Sequence, residues 1–191
     1  LCFSSELVIK TMSYHDLFFS ITGINPHATT IEQLMDYASA QGNPEAATIC
    51  GESIANGLDY VFSQYIQPML LKEQVYFVSH YPVCMAMLAK LTDDSPQTAK
   101  RFEVYFNNVE LANGYEELTD ADLQEMRFQQ DIKERELAAQ DKVPIDQNLI
   151  AALRAGMPAC SGVALGLDRL LMLMSQAASI DEVLSFPVER A

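Results

Sequence analysis

From residue 101 to residue 118 the chain alternates between apolar and polar positions: Phe102, Val104 and Phe106 flank Glu103 and Tyr105, and Val109 and Leu111 flank Glu110. A period of two belongs to a pleated strand. Asn107-Asn108 between the runs suits a two-residue turn, because asparagine tolerates the positive φ that such turns require. This register sets Phe106 opposite Val109, Val104 opposite Leu111 and Glu103 opposite Ala112. Five apolar residues then share one side of a hairpin and the acids the other.

Ahead of the hairpin the pattern is helical. SYHDLFFSI and TIEQLMDYASA predict two helices, the second with capping-box spacing between Thr30 and Gln33, and a third runs from roughly 44 to 67 before Pro68. Their aromatic and methionine positions suit core packing. VYFVSHYP, at 75–82, predicts a strand that stops at Pro82, and DDSP, at 93–96, a loop. After the hairpin, Thr119 or Asp120 caps a long helix with apolar Leu123, Met126, Phe128 and Ile132; it runs into DIKERELAAQ, whose charges suit a solvated face. A further helix covers about 146–155 and stops at Gly156. Strands and helices do not alternate regularly, which favours an α+β fold: an antiparallel sheet with helices against it.

The chain has 191 residues, 49% hydrophobic and 20% charged, with no repeat or low-complexity stretch, so it suits a globular domain. Its net charge of −14 argues against a broad basic surface for phosphate backbones. LLMLM, at 170–174, is too short to span a membrane, and LCFSSELVIK lacks the basic start of a signal peptide. Cys2, Cys50, Cys84 and Cys160 show no close pairing and read as reduced, buried thiols of a cytoplasmic protein. His15, His27 and His80 lack zinc-ligand spacing.

Two constellations carry candidate chemistry. In the hairpin register Glu103 and Glu110 are diagonal neighbours at roughly 7 Å, close enough for both to reach one Mg²⁺ held together with nucleotide phosphates. The same pattern also suits a solvated outer face. In SGVALGLDR, Gly162, Ala164 and Gly166 share one strand face and Val163, Leu165 and Leu167 the other. Small residues in alternation leave room for a ligand or for another backbone. Asp168 then caps the following helix, and Arg169 sits in its first turn, where a cation is disfavoured by several tenths of a kcal/mol. A phosphate tail at Arg169 would reverse that penalty, as would an exposed salt bridge to a nearby acid.

At GVALGLDRLLML the sequence resembles motif 3 of the class II aminoacyl-tRNA synthetases, and RFEVYFNNVELANGYEELTD resembles the preceding strands of that family's lysine branch. With the intervening helices and the closing SFPVERA, the likeness covers about the last 90 residues. PIDQNLIAALRAGMPACSGVALGLDRLLML is similar to the lysyl-tRNA synthetase paralogues that modify elongation factor P; the synthetases generally carry glycine where Ala164 stands.

The resemblance implies a class II synthetase-like antiparallel sheet flanked by helices, incomplete in this chain, with about 1–70 a helical insertion and about 71–191 the sheet with motif 3. It implies activation of (R)-β-lysine (or lysine) by ATP and transfer to a lysine amine of elongation factor P instead of tRNA, in a cytoplasmic homodimer. Glu103 and Glu110 match the metal- and ATP-binding acids, and Leu111 and Gly166 match ATP contacts. Arg169 matches the catalytic arginine that neutralises phosphate charge. Asn113, Tyr115 and Glu117 match substrate positions, with Ala164 lining the same pocket.

Neither motif 1 nor motif 2 is found, and no Arg-x-Glu element precedes residue 70. The expectation is therefore the C-terminal part of a longer chain, with at most weak ATP binding and no adenylation alone. Two other readings stay open: a lysyl-tRNA synthetase catalytic domain, and a non-catalytic regulator, against which the retention of Glu103, Glu110, Glu117 and Arg169 weighs.

Overall fold

The structure is a computed structural model that describes residues 7–43, 46–50, 53–137, 140–141 and 143–187. Cys2, parts of the predicted 44–67 helix and of DIKERELAAQ, and the last four residues of SFPVERA lie outside the described residues.

A five-stranded sheet runs in the order β1 (Val8–Ser13), β2 (Gln74–Tyr81), β3 (Ala99–Phe106), β4 (Val109–Glu116) and β5 (Ser161–Leu165). β2 to β5 are antiparallel, as predicted, but β1 runs parallel to β2. The first third is therefore not purely helical. β1 has only six residues and passes straight into α1 (Tyr14–Thr22), with Ser13 as N-cap: Ser13 Oγ accepts from the Asp16 amide at 3.0 Å. The helix start at Ser13 agrees with the predicted SYHDLFFSI helix, but with no Gly or Pro between strand and helix no turn signal sets β1 apart as a strand.

α2 (Ile31–Ala40) starts with the predicted capping box, Thr30 Oγ1 accepting from the Gln33 amide at 3.3 Å and Gln33 Oε1 from the Thr30 amide at 3.2 Å. The single helix expected over 44–67 is broken into α3 (Ala46–Cys50) and α4 (Ile54–Val61), followed by a π-helical segment, Phe62–Ile66, and a 3₁₀ turn, Gln67–Met69. The break has a cause in Ser53, whose hydroxyl accepts from the Asn56 amide at 3.1 Å and starts a new helix. Of the two caps weighed for α5 (Ala121–Leu137), Asp120 serves, accepting from the amides of Asp122 and Leu123, each at 3.0 Å. α5 buries Ala121 and Gln124 and leaves the predicted apolar positions Leu123 and Met126 exposed. α6 (Gln147–Ala155) ends at Gly156, where φ is 107°. α7 is Leu167–Ser175. Among the described residues no helix is long and apolar enough to cross a membrane.

One sheet face is roofed by α1, α2, α4 and the π-helical segment. Tyr14, Phe18, Leu34, Leu58, Val61, Phe62 and Ile66 pack there against Tyr76, Val78, Tyr81 and Tyr105. Tyr14 ties roof to sheet: its ring centroid lies 5.1 Å from that of Phe62 and 4.8 Å from that of Tyr81, and its hydroxyl donates to the Leu58 carbonyl at 3.2 Å.

The hairpin turns at Asn107 and Asn108, both at positive φ, and begins in the expected register, Phe106 opposite Val109 and Tyr105 opposite Glu110. Leu111 is then an extra residue. Val104 faces Ala112 instead of Leu111, and Glu103 faces Asn113 instead of Ala112. One inserted residue exchanges the face of everything that follows. Asn113 and Tyr115 come round to join Glu103, Tyr105 and Glu110, while Ala112 and Gly114 pass to the side of Phe102 and Val104. Burial is also the reverse of a solvated acid face: Arg101, Glu103 and Tyr105 are 9%, 6% and 4% exposed, whereas Phe102 and Val104 are only half-buried.

Candidate functional site

Alternation on β3 puts Arg101, Glu103 and Tyr105 on the roofed face. The Glu103 carboxylate accepts from Arg101 Nη2 and the Tyr105 hydroxyl in short contacts, from the Tyr81 hydroxyl at 2.6 Å and from Asn113 Nδ2 at 3.2 Å. Arg101 Nη1 donates to the Met85 carbonyl at 2.9 Å, and its guanidinium lies 4.6 Å over the Tyr81 ring and 6.0 Å from that of Tyr115. A buried ion pair is tolerable when its remaining hydrogen-bonding capacity is met; here four donors surround the carboxylate, while Arg101 Nε is buried with no partner among the described residues. Burial pushes the Tyr81 and Tyr105 hydroxyls far above the ordinary tyrosine range, with Glu103's charge adding to it, so both remain donors. Asn113 Oδ1, also buried, has no partner among the described residues. A buried acceptor left unmet is costly, and a ligand donor would satisfy it.

Glu110 lies at the rim of this cluster. Burial first, then the charge of Glu103, raise its pKa above the ordinary carboxylate range, and Arg169 opposes them. Arg169 Nη1 donates to the Glu110 carbonyl at 2.8 Å and stands 3.7 Å from Glu110 Oε2. Beside it the Gly166 amide donates to the Leu111 carbonyl at 2.9 Å, so the bulge in β4 is held from the end of β5. A Cβ on Gly166 would come 3.3 Å from Arg169 Cδ, which shows why a bare position lets the arginine fold back towards β4. The first turn of α7 differs from expectation: Gly166, with no side-chain cap, is the N-cap, and Asp168 lies inside the helix, where its charge still complements the helix dipole.

β5 pairs Ala164 with Asn113 and Gly162 with Tyr115, so the small-residue face and the acid face are one surface. Val163 and Leu165 project to the other side and are exposed. Glu117 follows β4; its amide donates to the Cys160 carbonyl at 3.0 Å, and its Oε1 sits 2.6 Å from where a Cβ on Gly162 would be. Gly162 is bare because Glu117 occupies that space. The structure thus brings Glu103, Glu110, Asn113, Tyr115 and Ala164 to one face, with Glu117 beside Gly162, and joins Leu111, Gly166 and Arg169 to its edge through the bulge in β4.

Sequence reasoning missed Arg101, Tyr81 and Tyr105. Arg101 and Tyr105 were within reach, since residues two apart on a strand share a face with Glu103. Tyr81 was not, because it enters only through pairing with β3. The thiols also depart from expectation. All three described cysteines are free, but only Cys50 is buried; Cys160 is half-buried and Cys84 exposed. A cleft of about 620 Å³, between the start of α4, Cys84, Met87, α5 and residues 143–146, opens beside the site. Met87 belongs to both, its Sδ lying 3.8 Å from Tyr115 Oη.

Residues 8–190 match the tRNA synthetases class II (D, K and N). The elongation factor P–(R)-beta-lysine ligase of Pectobacterium atrosepticum is 41% identical over 191 residues, covering 100% of this chain and 57% of that protein. The ligase of the same name from Sodalis glossinidius is 42% identical over 182 residues, covering 95% and 56%. That from Pectobacterium carotovorum is 40% identical over 191 residues, covering 100% and 57%. The chain therefore spans a little over half the length of these curated relatives. A match across nearly the whole chain, on the strands that build the acid face, leaves one conclusion: the chain belongs to the class II tRNA synthetases of the D, K and N type.

Proposed function

We propose that the full-length protein activates β-lysine with ATP and transfers it to a lysine side chain of elongation factor P. The observation that carries this reading is the identity of 40–42% to three ligases of that name across 95–100% of the chain. Ala164, paired with Asn113 on the acid face, supports it further. In the first step the substrate carboxylate attacks the α-phosphorus of ATP and pyrophosphate leaves. In the second the acceptor amine attacks the acyl carbon, loses a proton, and AMP leaves.

In this reading the nucleotide lies along β4 and β5 near Leu111 and Gly166, and Arg169 faces its phosphates as a fixed cation. Glu117 receives a substrate ammonium over Gly162, with Tyr115 and the unmet Asn113 Oδ1 beside it. Ala164 limits the room for the substrate's backbone atoms.

The donor set fits Mg²⁺ with one change from the two-carboxylate expectation. Glu103 already accepts four hydrogen bonds, whereas Arg169, 3.7 Å away, only partly offsets the burial and the Glu103 charge that disfavour the ionised form of Glu110. Glu110 would hold the ion together with phosphate oxygens, as Mg²⁺ sites commonly use one or two carboxylates. The ion supplies neutralisation of phosphate charge. Glu103 adds negative field and fixes Asn113.

Incubating the full-length protein with ATP, each lysine isomer, elongation factor P and tRNA tests the proposal. The expected product is elongation factor P heavier by one β-lysyl group. Charging of tRNA with α-lysine as the main activity would overturn it.

A further inference from the structure

Residues 87–90 form a side wall of the site. Ala89 bridges Glu117 in an antiparallel pair, the Leu118 amide donates to the Leu88 carbonyl at 2.9 Å, and the Lys90 amide donates to the Glu116 carbonyl at 2.8 Å. The backbone that carries Glu117 is therefore held from one side by this segment and from the other by Cys160. Met87, which touches Tyr115, has φ of 50°, in the left-handed region that a non-glycine residue keeps only when its surroundings hold it.

Arg127 supplies that hold from α5. Its Nη1 donates to the Met87 carbonyl at 3.1 Å and to the Ala89 carbonyl at 2.6 Å. These two carbonyls lie on either side of Leu88, so one guanidinium nitrogen sets the curvature of the wall. Burial holds the Arg127 pKa below its ordinary range, with Asp131 opposing. Hydrogen bonds from a charged donor are the stronger kind.

We propose that Arg127 is a positioning residue: through the carbonyls of Met87 and Ala89 it fixes Glu117 over Gly162 and Tyr115 beside it, and so sets affinity for the amino-acid substrate. The inference rests on the substrate roles given above to Glu117 and Tyr115. A purely structural arginine, pinning α5 to the sheet, would act differently: its loss would lower stability and leave the two substrates' KM values in their original ratio.

The test uses the full-length protein with Arg127→Met, which keeps the aliphatic stem, and Arg127→Lys, which keeps a cation able to reach carbonyls. Amino-acid-dependent ATP–pyrophosphate exchange gives separate KM values for the amino acid and for ATP. Hydrogen exchange at the Lys90 and Leu118 amides reports on the wall itself. Arg127→Met removes both carbonyl contacts and is expected to raise KM for the amino acid about tenfold with KM for ATP changed by less than roughly twofold, as misplacing the one charge-assisted contact from Glu117 to the substrate implies. Both amides should exchange faster, and Arg127→Lys should recover most of each effect. Equal rises in both KM values, or unchanged amide exchange, would overturn the proposal. Should the parent protein support no exchange with either lysine isomer, the functional reading fails separately, and the Lys90 and Leu118 amides still decide whether Arg127 braces the wall.

Discussion

Gly114 and Gly162 lie on neighbouring strands and face opposite sides of the sheet, so alanine at each separates binding from folding. At Gly162 the added methyl carbon would sit 2.6 Å from Glu117 Oε1 and 3.8 Å from Glu117 Cδ. The obstacle is the tip of a flexible side chain, about 0.8 Å inside ordinary contact, and it can swing away. Stability should barely change, since alanine also restricts the unfolded chain, an effect of about 0.4–1 kcal/mol where the backbone is compatible. If Glu117 holds a substrate ammonium, its displacement forfeits a charge-assisted hydrogen bond of about 1.5–3 kcal/mol, or about 10- to 150-fold in KM. At Gly114 the methyl would instead meet Phe102 Cε1 at 2.6 Å and the Gly162 carbonyl oxygen at 2.7 Å. That oxygen is backbone in a paired strand and cannot retreat without opening the ladder, so the cost falls on folding and reaches at least the about 1–3 kcal/mol of an overpacked core. Denaturant midpoints and amino-acid-dependent ATP–pyrophosphate exchange on the same full-length preparations check both. Gly162→Ala with unchanged KM and a lowered midpoint would refute the reasoning.

Glu103→Ala should cost about 3–5 kcal/mol in denaturant unfolding, because it strands the buried Arg101 charge; loss of Mg²⁺ dependence with unchanged stability would instead make Glu103 a metal ligand. Ala164→Gly is expected to shift the ratio of kcat/KM between the two lysine isomers by about 1–3 kcal/mol, or roughly 5- to 150-fold; an unchanged ratio would remove Ala164 from the pocket. Glu110 gives a pH signature. Its folded pKa lies above the ordinary 4.5, so its contribution to stability is present below that value and is lost as pH rises through the raised one. Unliganded parent protein should therefore lose stability relative to Glu110→Gln across that window in urea titrations at stepped pH, and parallel curves would exclude the shift.

Alternation, caps and turns were legible because they are local. The capping box at Thr30, the Asn107-Asn108 turn and the stop at Gly156 each follow from interactions within a few residues. Ser53 was legible in principle and was overridden by a longer apolar pattern. β1 was not, since six residues without flanking turn signals take their identity from pairing with β2.

The sequence by itself determined which residue types could do the chemistry and which strand and helix would carry them. It also determined that Gly162 and Ala164 share a face, because alternation along one strand needs no partner. Only the tertiary structure decided that the acid side lies beneath the helices, and that Asn113 and Tyr115 stand with Glu103 instead of behind it. The physical reason is that a strand's period sets relative sides, whereas the single extra residue at Leu111, held by Gly166 and Arg169 from more than fifty positions away, sets which side each later residue takes.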